Sequence, residues 1–318
     1  MKQIAISMGD ALGIGPEVVA LALDDPRVRA QVSAVVYGQR EVLERAARMR
    51  GVSFQAEVVE VALPRGEDSA ASGGRPAVGR SDAAGAGALA LACVDAAARA
   101  ALSGAVQAIC TAPLSKERVA LTAKGFAGHT EFLAGLANAK VAMMLAGPRL
   151  RVVLATNHLA LKEVPKAIST AQIAFVAELA ATSLHDRFGI ARPRIAILGL
   201  NPHAGDGGIF GDEEARIVAP AVRQLRERGV EASGPWPADG LFPRAVRGDF
   251  DAVVALYHDQ GLIAAKLLDF RETVNVTLGL PFVRTSPDHG TADDIAWQGK
   301  ADPEPMATAL LLAARLAG

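Results

Sequence analysis

The chain has 318 residues, of which 51% are hydrophobic, only 4% aromatic and 21% charged, with 31 Gly, 17 Pro and 2 Cys. At roughly 150 residues per domain this length suggests two domains. The Ala, Val and Leu that dominate the apolar share suit helices packed on parallel strands rather than a β-sandwich. Lys and Arg number 33 against 34 Asp and Glu, a formal net charge of -1, so there is neither the basic excess nor the basic stripe of a nucleic-acid binder.

Cys93 and Cys110 lie in apolar runs without metal-type spacing, which argues against a disulfide framework and for a reducing, cytoplasmic setting. No apolar run approaches the roughly 18 residues needed to cross a bilayer; the best, 86–94, stops at Asp95. The N-terminal Met1-Lys2-Gln3-Ile4-Ala5-Ile6 leads straight into a Gly-rich loop, so no secretory signal is expected.

Short β-type runs alternate with Ala/Leu/Arg segments of helical period, the signature of an α/β chain. Strands are predicted at 3–8, 33–37, 106–111, 151–156, 194–200, 251–257 and 273–278, and helices include 83–102, 171–188 and 213–228. Residues 64–81, rich in Gly, Ser, Ala and charge, read as a surface loop. Polar clusters end five of the strands: Met8-Gly9-Asp10, Thr111-Ala112-Pro113, Thr156-Asn157-His158, Asn201-Pro202-His203 and Tyr257-His258-Asp259. Ligands of open α/β sheets bind outside the carboxyl ends of strands, so one shared cleft is the economical reading.

The first of these loops, Gly9 to Glu17, has glycines at 9, 13 and 15 and so does not satisfy G-x-G-x-x-G, and a Rossmann site is not predicted. A structural turn ending at Pro16, a residue suited to a helix start, accounts for it as well. His158, His203 and His258 each follow a strand directly. Loops at one sheet edge can bring such imidazoles to a single ion, and neutral imidazole suits zinc and other late divalent metals. Three separate capping histidines fit the spacing equally; the repeated strand-exit context favours the metal. Asp239 is a candidate carboxylate of the same cleft, or an ordinary loop aspartate. Residues 287–296 pack polar side chains and Gly at a loop-helix junction in a way that suits adenine and ribose edges, or simply caps the last helices. His129, Thr130, Lys266, Asn275 and Arg284 form a polar set in which Lys and Arg supply charge for a phosphate or carboxylate.

At these residues the chain resembles, over essentially its whole length, the 4-hydroxythreonine-4-phosphate dehydrogenase family with its phosphothreonate and phosphoerythronate dehydrogenase relatives. The motifs are Gly9-Asp10 with Gly13-Ile14-Gly15-Pro16-Glu17, Thr111-Ala112-Pro113-Leu114-Ser115-Lys116, Gly128-His129-Thr130-Glu131-Phe132-Leu133, Gly199-Leu200-Asn201-Pro202-His203-Ala204-Gly205, Tyr257-His258-Asp259-Gln260-Gly261 and Asn275-Val276-Thr277-Leu278-Gly279-Leu280-Pro281. The resemblance implies a two-domain α/β/α fold like that of isocitrate and isopropylmalate dehydrogenases, with the active site in the interdomain cleft. It implies a discontinuous domain, 1–128 plus 280–318, carrying the cofactor loop, and a second, 129–279, carrying the metal ligands and a homodimer interface.

It further implies a divalent metal, zinc or else magnesium, manganese or cobalt, on His158, His203 and His258, shared across the dimer interface. Substrate contacts would fall on His129, Thr130, Lys266, Asn275 and Arg284, and catalytic roles on Asp239 and Lys266. The loop Asp288, His289, Gly290, Thr291 and Asp294 matches the adenosine-binding loop of the wider group. Where NADP-using relatives tend to carry a basic residue this chain has Asp294, whose charge would repel a 2′-phosphate, so NAD is expected. The activity implied is oxidation, with decarboxylation, of a small phosphorylated hydroxy acid, in first place 4-phosphohydroxy-L-threonine. A 4-phospho-D-threonate or erythronate 3-dehydrogenase, a cis-dihydrodiol dehydrogenase, a zinc metallohydrolase and a non-catalytic binding protein are the alternatives. Ala11-Leu12, Gly240 and Pro287 depart from the family pattern of Pro-Ala, Thr and Val.

Overall fold

The structure is a computed structural model that describes residues 1–62 and 83–318; the loop expected at 64–81 lies outside the described residues. In chain order the strands are β1 (Lys2–Ser7), β2 (Val32–Gly38), β3 (Glu57–Glu60), β4 (Ala108–Thr111), β5 (Ala142–Ala146), β6 (Arg151–Leu154), β7 (Arg194–Leu198), β8 (Glu231–Trp236), β9 (Ala252–Ala255), β10 (Val274–Leu278) and β11 (Val283–Pro287). The chain forms two compact units, Met1–Ala139 with Leu280–Gly318, and Lys140–Gly279. The helix His129–Ala137 thus falls in the first unit, whereas the sequence reading starts the second at residue 129. It packs on the helix Ala83–Leu102 of that first unit.

In the first unit the strands run in the order β3-β2-β1-β4-β11, all parallel. Ile4, Ala5 and Ile6 of β1 and Ala108, Ile109 and Cys110 of β4 are fully buried, the continuous apolar run of a parallel strand covered on both faces. The helices Ala83–Leu102 and Glu304–Leu316 pack on these strands. Ala83–Leu102 is 20 residues long with a mean hydropathy of 1.4, which corrects the expectation that no apolar segment reaches spanning length. Leu89, Ala90, Cys93, Val94 and Ala97 are buried in this unit, so here the apolar length makes a core helix.

In the second unit the order is β10-β5-β6-β9-β7-β8. The pairs β10/β5 and β5/β6 are antiparallel, and β6, β9, β7 and β8 are parallel. Alternate residues, Met143 and Leu145, Val152 and Leu154, Ala196 and Leu198, Val253 and Ala255, share one core with Leu241, Ala245, Leu262 and Ala265, the period of two expected of a strand.

Four strands escape the sequence reading for separate reasons. β5 is Ala-Met-Met-Leu-Ala and has no β-branched residue; β8 contains Gly and Pro; β3 is a short, mostly exposed edge; and β11 is Val-Arg-Thr-Ser-Pro yet entirely buried. Strand propensity reflects the environment a strand enters, and these four do not announce theirs.

Neighbouring parallel strands β6, β9 and β7 send their exits to one edge of the second unit's sheet. Thr156 Oγ1 donates to the Leu256 carbonyl at 2.7 Å. Gln260 accepts from the Leu256 N–H and donates to the Gly199 carbonyl, each at 2.7 Å, so the three exit loops are tied together. After β7 the chain enters a left-handed turn in which His203, Ala204, Gly205, Asp206 and Gly207 all have positive φ, from 43° to 84°. A residue with a Cβ is disfavoured there by about 1 kcal/mol or more, and three of the five have one.

The carboxylate of Glu214 holds this turn from beneath. It is 5% exposed and accepts from the Leu200 and Asn201 backbone N–H groups at 2.7 Å each and from Asn201 Nδ2 at 3.0 Å. A Cβ on Gly205 would lie 2.7 Å from Glu214 Oε2, so only Gly fits above it. Glu214 opens a π-helical turn, Glu214–Val218, before the helix Ala219–Glu227, and such turns interrupt helices at functional sites. The helix predicted over 213–228 is therefore two elements. Glu214→Ala should cost about 2–4 kcal/mol, because two buried N–H groups lose a charged acceptor, and should strip hydrogen-exchange protection from the Leu200 and Asn201 amides. Urea denaturation and exchange mass spectrometry measure both.

Candidate active site

In the second unit His158 follows β6, His258 opens the helix His258–Asp269 after β9, and His203 sits in the left-handed turn after β7. The rings of His158 and His258 lie 5.4 Å apart, centroid to centroid. Two imidazoles sharing a tetrahedral ion at about 2.1 Å per nitrogen place their centroids roughly 5 Å apart, so this pair fits one metal. His258 Nδ1 lies 2.7 Å from Asp259 Oδ1, the carboxylate pairing that orients a metal-binding ring and leaves Nε2 as the ligand atom. Both histidines line a cavity of about 540 Å³ with Asn157, Leu159, Leu161, Val164, Tyr257 and Asp259.

His203 does not complete a trio in this chain. It is exposed and its ring lies 6.2 Å from that of Phe210, and among the described residues no group of three or more His, Cys, Asp or Glu is arranged to hold a metal. The sequence reading thus places three imidazoles at one sheet edge, and the structure pairs two of them.

Lys266 lies in the last turn of the helix His258–Asp269, its Nζ 6.0 Å above the Phe270 ring. Asn275 on β10 donates to Met143 Sδ at 3.4 Å, and its buried Oδ1 has no hydrogen-bond partner among the described residues. Asp239 is exposed in the first turn of the helix Ala238–Val246. A Cβ at the neighbouring Gly240 would meet nothing within 4 Å, so the departure at 240 leaves open space beside Asp239.

In the first unit the cationic residues gather around the start of the helix His129–Ala137. Arg284 on β11 is 2% exposed and its Nη2 donates to Thr111 Oγ1 at 2.7 Å. Burial pulls its guanidinium down to about 10, with Cys110 and Glu131 acting in the opposite direction, so it remains protonated at neutral pH. Burial also pushes the His129 imidazole well below its usual value, helped by the charges of Arg284 and Lys116. His129 is thus neutral, and its buried Nε2 has no hydrogen-bond partner among the described residues. Lys116 reaches toward Gly128, where a Cβ would lie 3.3 Å from its Nζ. A buried guanidinium, a lysine and the first turn of a nine-residue helix form a seat for an oxyanion.

The segment 288–297 also belongs to the first unit. Its Thr291 carbonyl accepts from the Ile14 N–H at 3.0 Å, and Trp297 Nε1 donates to the Ala11 carbonyl at 2.9 Å. Asp294 is exposed, and His289 Nδ1 lies 3.0 Å from the Gly290 carbonyl oxygen. The departures Ala11-Leu12 lie in the loop this segment touches, where the Leu12 N–H donates to Asp10 Oδ1 at 2.9 Å; Pro287 ends β11, buried.

Thr111, Lys116, Glu214 and Gln260 make contacts within these arrangements that the sequence reading does not single out individually. Thr111, Lys116 and Gln260 lie inside quoted motifs but carry no charge pattern of their own, and Glu214 acts on residues 13 and 14 positions earlier through a fold that spacing does not reveal.

Residues 30–313 match the family model described as pyridoxal phosphate biosynthetic protein PdxA. The chain is 45% identical over 330 residues, 99% of itself and 95% of the relative, to a 4-hydroxythreonine-4-phosphate dehydrogenase of Geobacter metallireducens. To a D-threonate 4-phosphate dehydrogenase of Salmonella typhimurium it is 44% identical over 332 residues, 99% of each chain. Among solved structures it matches a 4-hydroxythreonine-4-phosphate dehydrogenase of Klebsiella pneumoniae with TM-score 0.86 and 42% identity, covering 99% of this chain and 98% of that one. A terephthalate 1,2-cis-dihydrodiol dehydrogenase of Burkholderia xenovorans matches with TM-score 0.66 and 33% identity, covering 97% and 98%. A β-decarboxylating dehydrogenase of Thermococcus kodakarensis, at 14% identity and TM-score 0.52 over 97% and 82%, shares the fold. With its six motifs, its paired strand-exit histidines and its buried arginine, the chain belongs to the PdxA family of dehydrogenases.

Proposed function

We propose that the protein oxidises 4-phosphohydroxy-L-threonine with NAD and a divalent metal, in pyridoxal phosphate biosynthesis. The observation that carries this reading is the buried Arg284 with neutral His129 and Lys116, a seat built for a substrate oxyanion. The hydroxyl on carbon 3 loses its proton and carbon 3 loses a hydride, giving a ketone; the resulting β-keto acid loses CO2 and leaves 3-amino-2-oxopropyl phosphate. NAD, when bound, would accept the hydride, and a metal, zinc or else magnesium, manganese or cobalt, would supply Lewis-acid polarisation of the hydroxyl.

His158, His203 and His258 would hold the metal, shared across a dimer interface. His129, Thr130 and Arg284 bind the phosphate, and Lys266 and Asn275 orient the carboxylate and hydroxyl. Asp239 and Lys266 carry protons. Asp288, His289, Gly290, Thr291 and Asp294 hold the dinucleotide. D-threonate 4-phosphate, with a hydroxyl in place of the amine, is the second reading, because the relative of that name is almost as similar as those named for the threonine phosphate. The dihydrodiol reading stands behind these two, because the relative named for a dihydrodiol is 33% identical against 44–45% for those named for phosphorylated acids. The relatives are dehydrogenases, which sets aside hydrolysis and non-catalytic binding.

We further propose a homodimer formed by the second unit. Leu161, Ile209, Ile263, Leu267 and Phe270, all of this unit, are 64% or more exposed, a concentration that marks interaction surfaces. Two of them are close in sequence to His158 and His203, as a metal site at the interface requires. Both cysteines are free and buried, with thiols pushed up to about 12 by burial, which accords with a cytoplasmic location.

Mixing the protein, NAD, a divalent metal and each phosphorylated acid should generate NADH absorbance with the threonine phosphate in first place. Chelation or His258→Ala should reduce turnover by at least about 100-fold, measured as initial rates with metal content by mass spectrometry; full activity after chelation would remove the metal from the account. Asp294→Lys should shift the NAD to NADP ratio of kcat/KM toward NADP, since it replaces repulsion of the 2′-phosphate by attraction. Analytical ultracentrifugation should give twice the 32.9 kDa chain mass for the wild type and a monomer for a Leu267→Asp, Ile263→Asp double variant.

A further inference from the structure

One guanidinium in the first unit joins three loops that sequence leaves unconnected. Arg118, in the short helix Lys116–Ala120 after β4, donates through Nη1 to Asp10 Oδ2 at 2.8 Å and through Nη2 to Asp293. Asp10 is fully buried, and its backbone N–H donates to the Pro113 carbonyl at 2.9 Å. Arg118 therefore ties the loop after β1, the loop after β4 and the segment 288–297. The outer two are also pressed together directly: a Cβ on Gly13 would lie 2.8 Å from Thr291 Cβ.

Asp293 is the unusual partner. Its side chain is 52% exposed, and an ion pair that exposed contributes only about 0–1 kcal/mol to stability, so core packing does not explain the contact. The segment around it is bent, with Ala292 at φ 44° and Trp297 at φ 59°, conformations that persist for residues with a Cβ only where surrounding contacts impose them. The residue held in place next to the clamp is Asp294, to which the choice of dinucleotide is assigned above.

We propose that Arg118 is a positioning residue for the dinucleotide: by clamping Asp293 to the buried Asp10 it fixes the segment that carries His289 and Asp294. The inference rests on the assignment of 288–294 to NAD. Pre-ordering the segment lowers the entropy cost of binding, so the clamp governs cofactor affinity rather than the hydride step.

The test is a fluorescence titration of NADH into the wild type, Arg118→Met, Arg118→Lys and Asp293→Asn. It is read alongside hydrogen exchange of 290–297 in the ligand-free protein and kcat at saturating NAD. Asp293→Asn and Arg118→Met should weaken NADH about tenfold and deprotect the segment, with kcat at saturating NAD within about twofold of wild type; Arg118→Lys should restore part of the affinity. Arg118→Met leaves Asp10 buried without its counter-charge, so if it fails to fold, Asp293→Asn, at an exposed position, carries the test. Wild-type NADH affinity in Asp293→Asn overturns the proposal. Failure of the underlying assignment has a different signature, namely that NADH gives 288–297 of the wild type no exchange protection and Asp294→Lys leaves the cofactor preference unchanged; the proposal then falls with it.

Discussion

A buried guanidinium that reaches from the second residue of β11 to Thr111 at the end of β4 is the constraint around which these residues of the first unit are arranged. Arg284 cannot reach bulk water, and removing a cation from water is costly unless hydrogen bonds and an anion offset it. Thr111 fixes one end of its fork, and Lys116 and the first turn of the helix His129–Ala137 add positive potential to the same region. His129 is held neutral by that potential and by burial, which lets it accept or donate a hydrogen bond without adding charge. A chain of almost zero net charge thereby gathers Arg284 and Lys116 in one place, with Glu131 of the helix's first turn beside them.

The second unit solves a different problem, that of bringing imidazoles from distant sequence positions to one sheet edge. Parallel pairing of β6, β9 and β7 makes their three exits neighbours, and Gln260 and Thr156 lock the loops to one another. Glu214 then holds the strained turn that carries His203. The exposed ring of His203 lies beside that of Phe210, apart from the paired rings of His158 and His258.

The α/β class was legible in the alternation of periods, and the strand-exit clusters at 8–10, 111–113, 156–158, 201–203 and 257–259 correctly marked carboxyl ends of observed strands. Boundaries set by packing were not legible: β11 reads as polar, yet Arg284, Thr285 and Ser286 are buried, the first two with hydrogen bonds to Thr111 and the Ala309 carbonyl. Sequence offers Arg284 only as a charge for a phosphate or carboxylate, and the structure shows in addition that it is almost completely buried. The sequence reading begins the second domain at residue 129, because sequence does not show that the helix His129–Ala137 packs on Ala83–Leu102 of the first unit. Glu214, Arg118 and Gln260 act through contacts between loops, so no local spacing could expose them.

The oxyanion seat is the claim on which the rest turns, and calorimetric titration of 4-phosphohydroxy-L-threonine and of its dephosphorylated counterpart, with the wild type and Arg284→Met, tests it most directly. The account predicts that the wild type binds the phosphorylated acid at least about 100-fold more tightly than the other, as expected for a charge-assisted, desolvated contact, and that Arg284→Met loses most of that difference. Equal affinity of the wild type for both acids, or an undiminished preference in the folded variant, would contradict it.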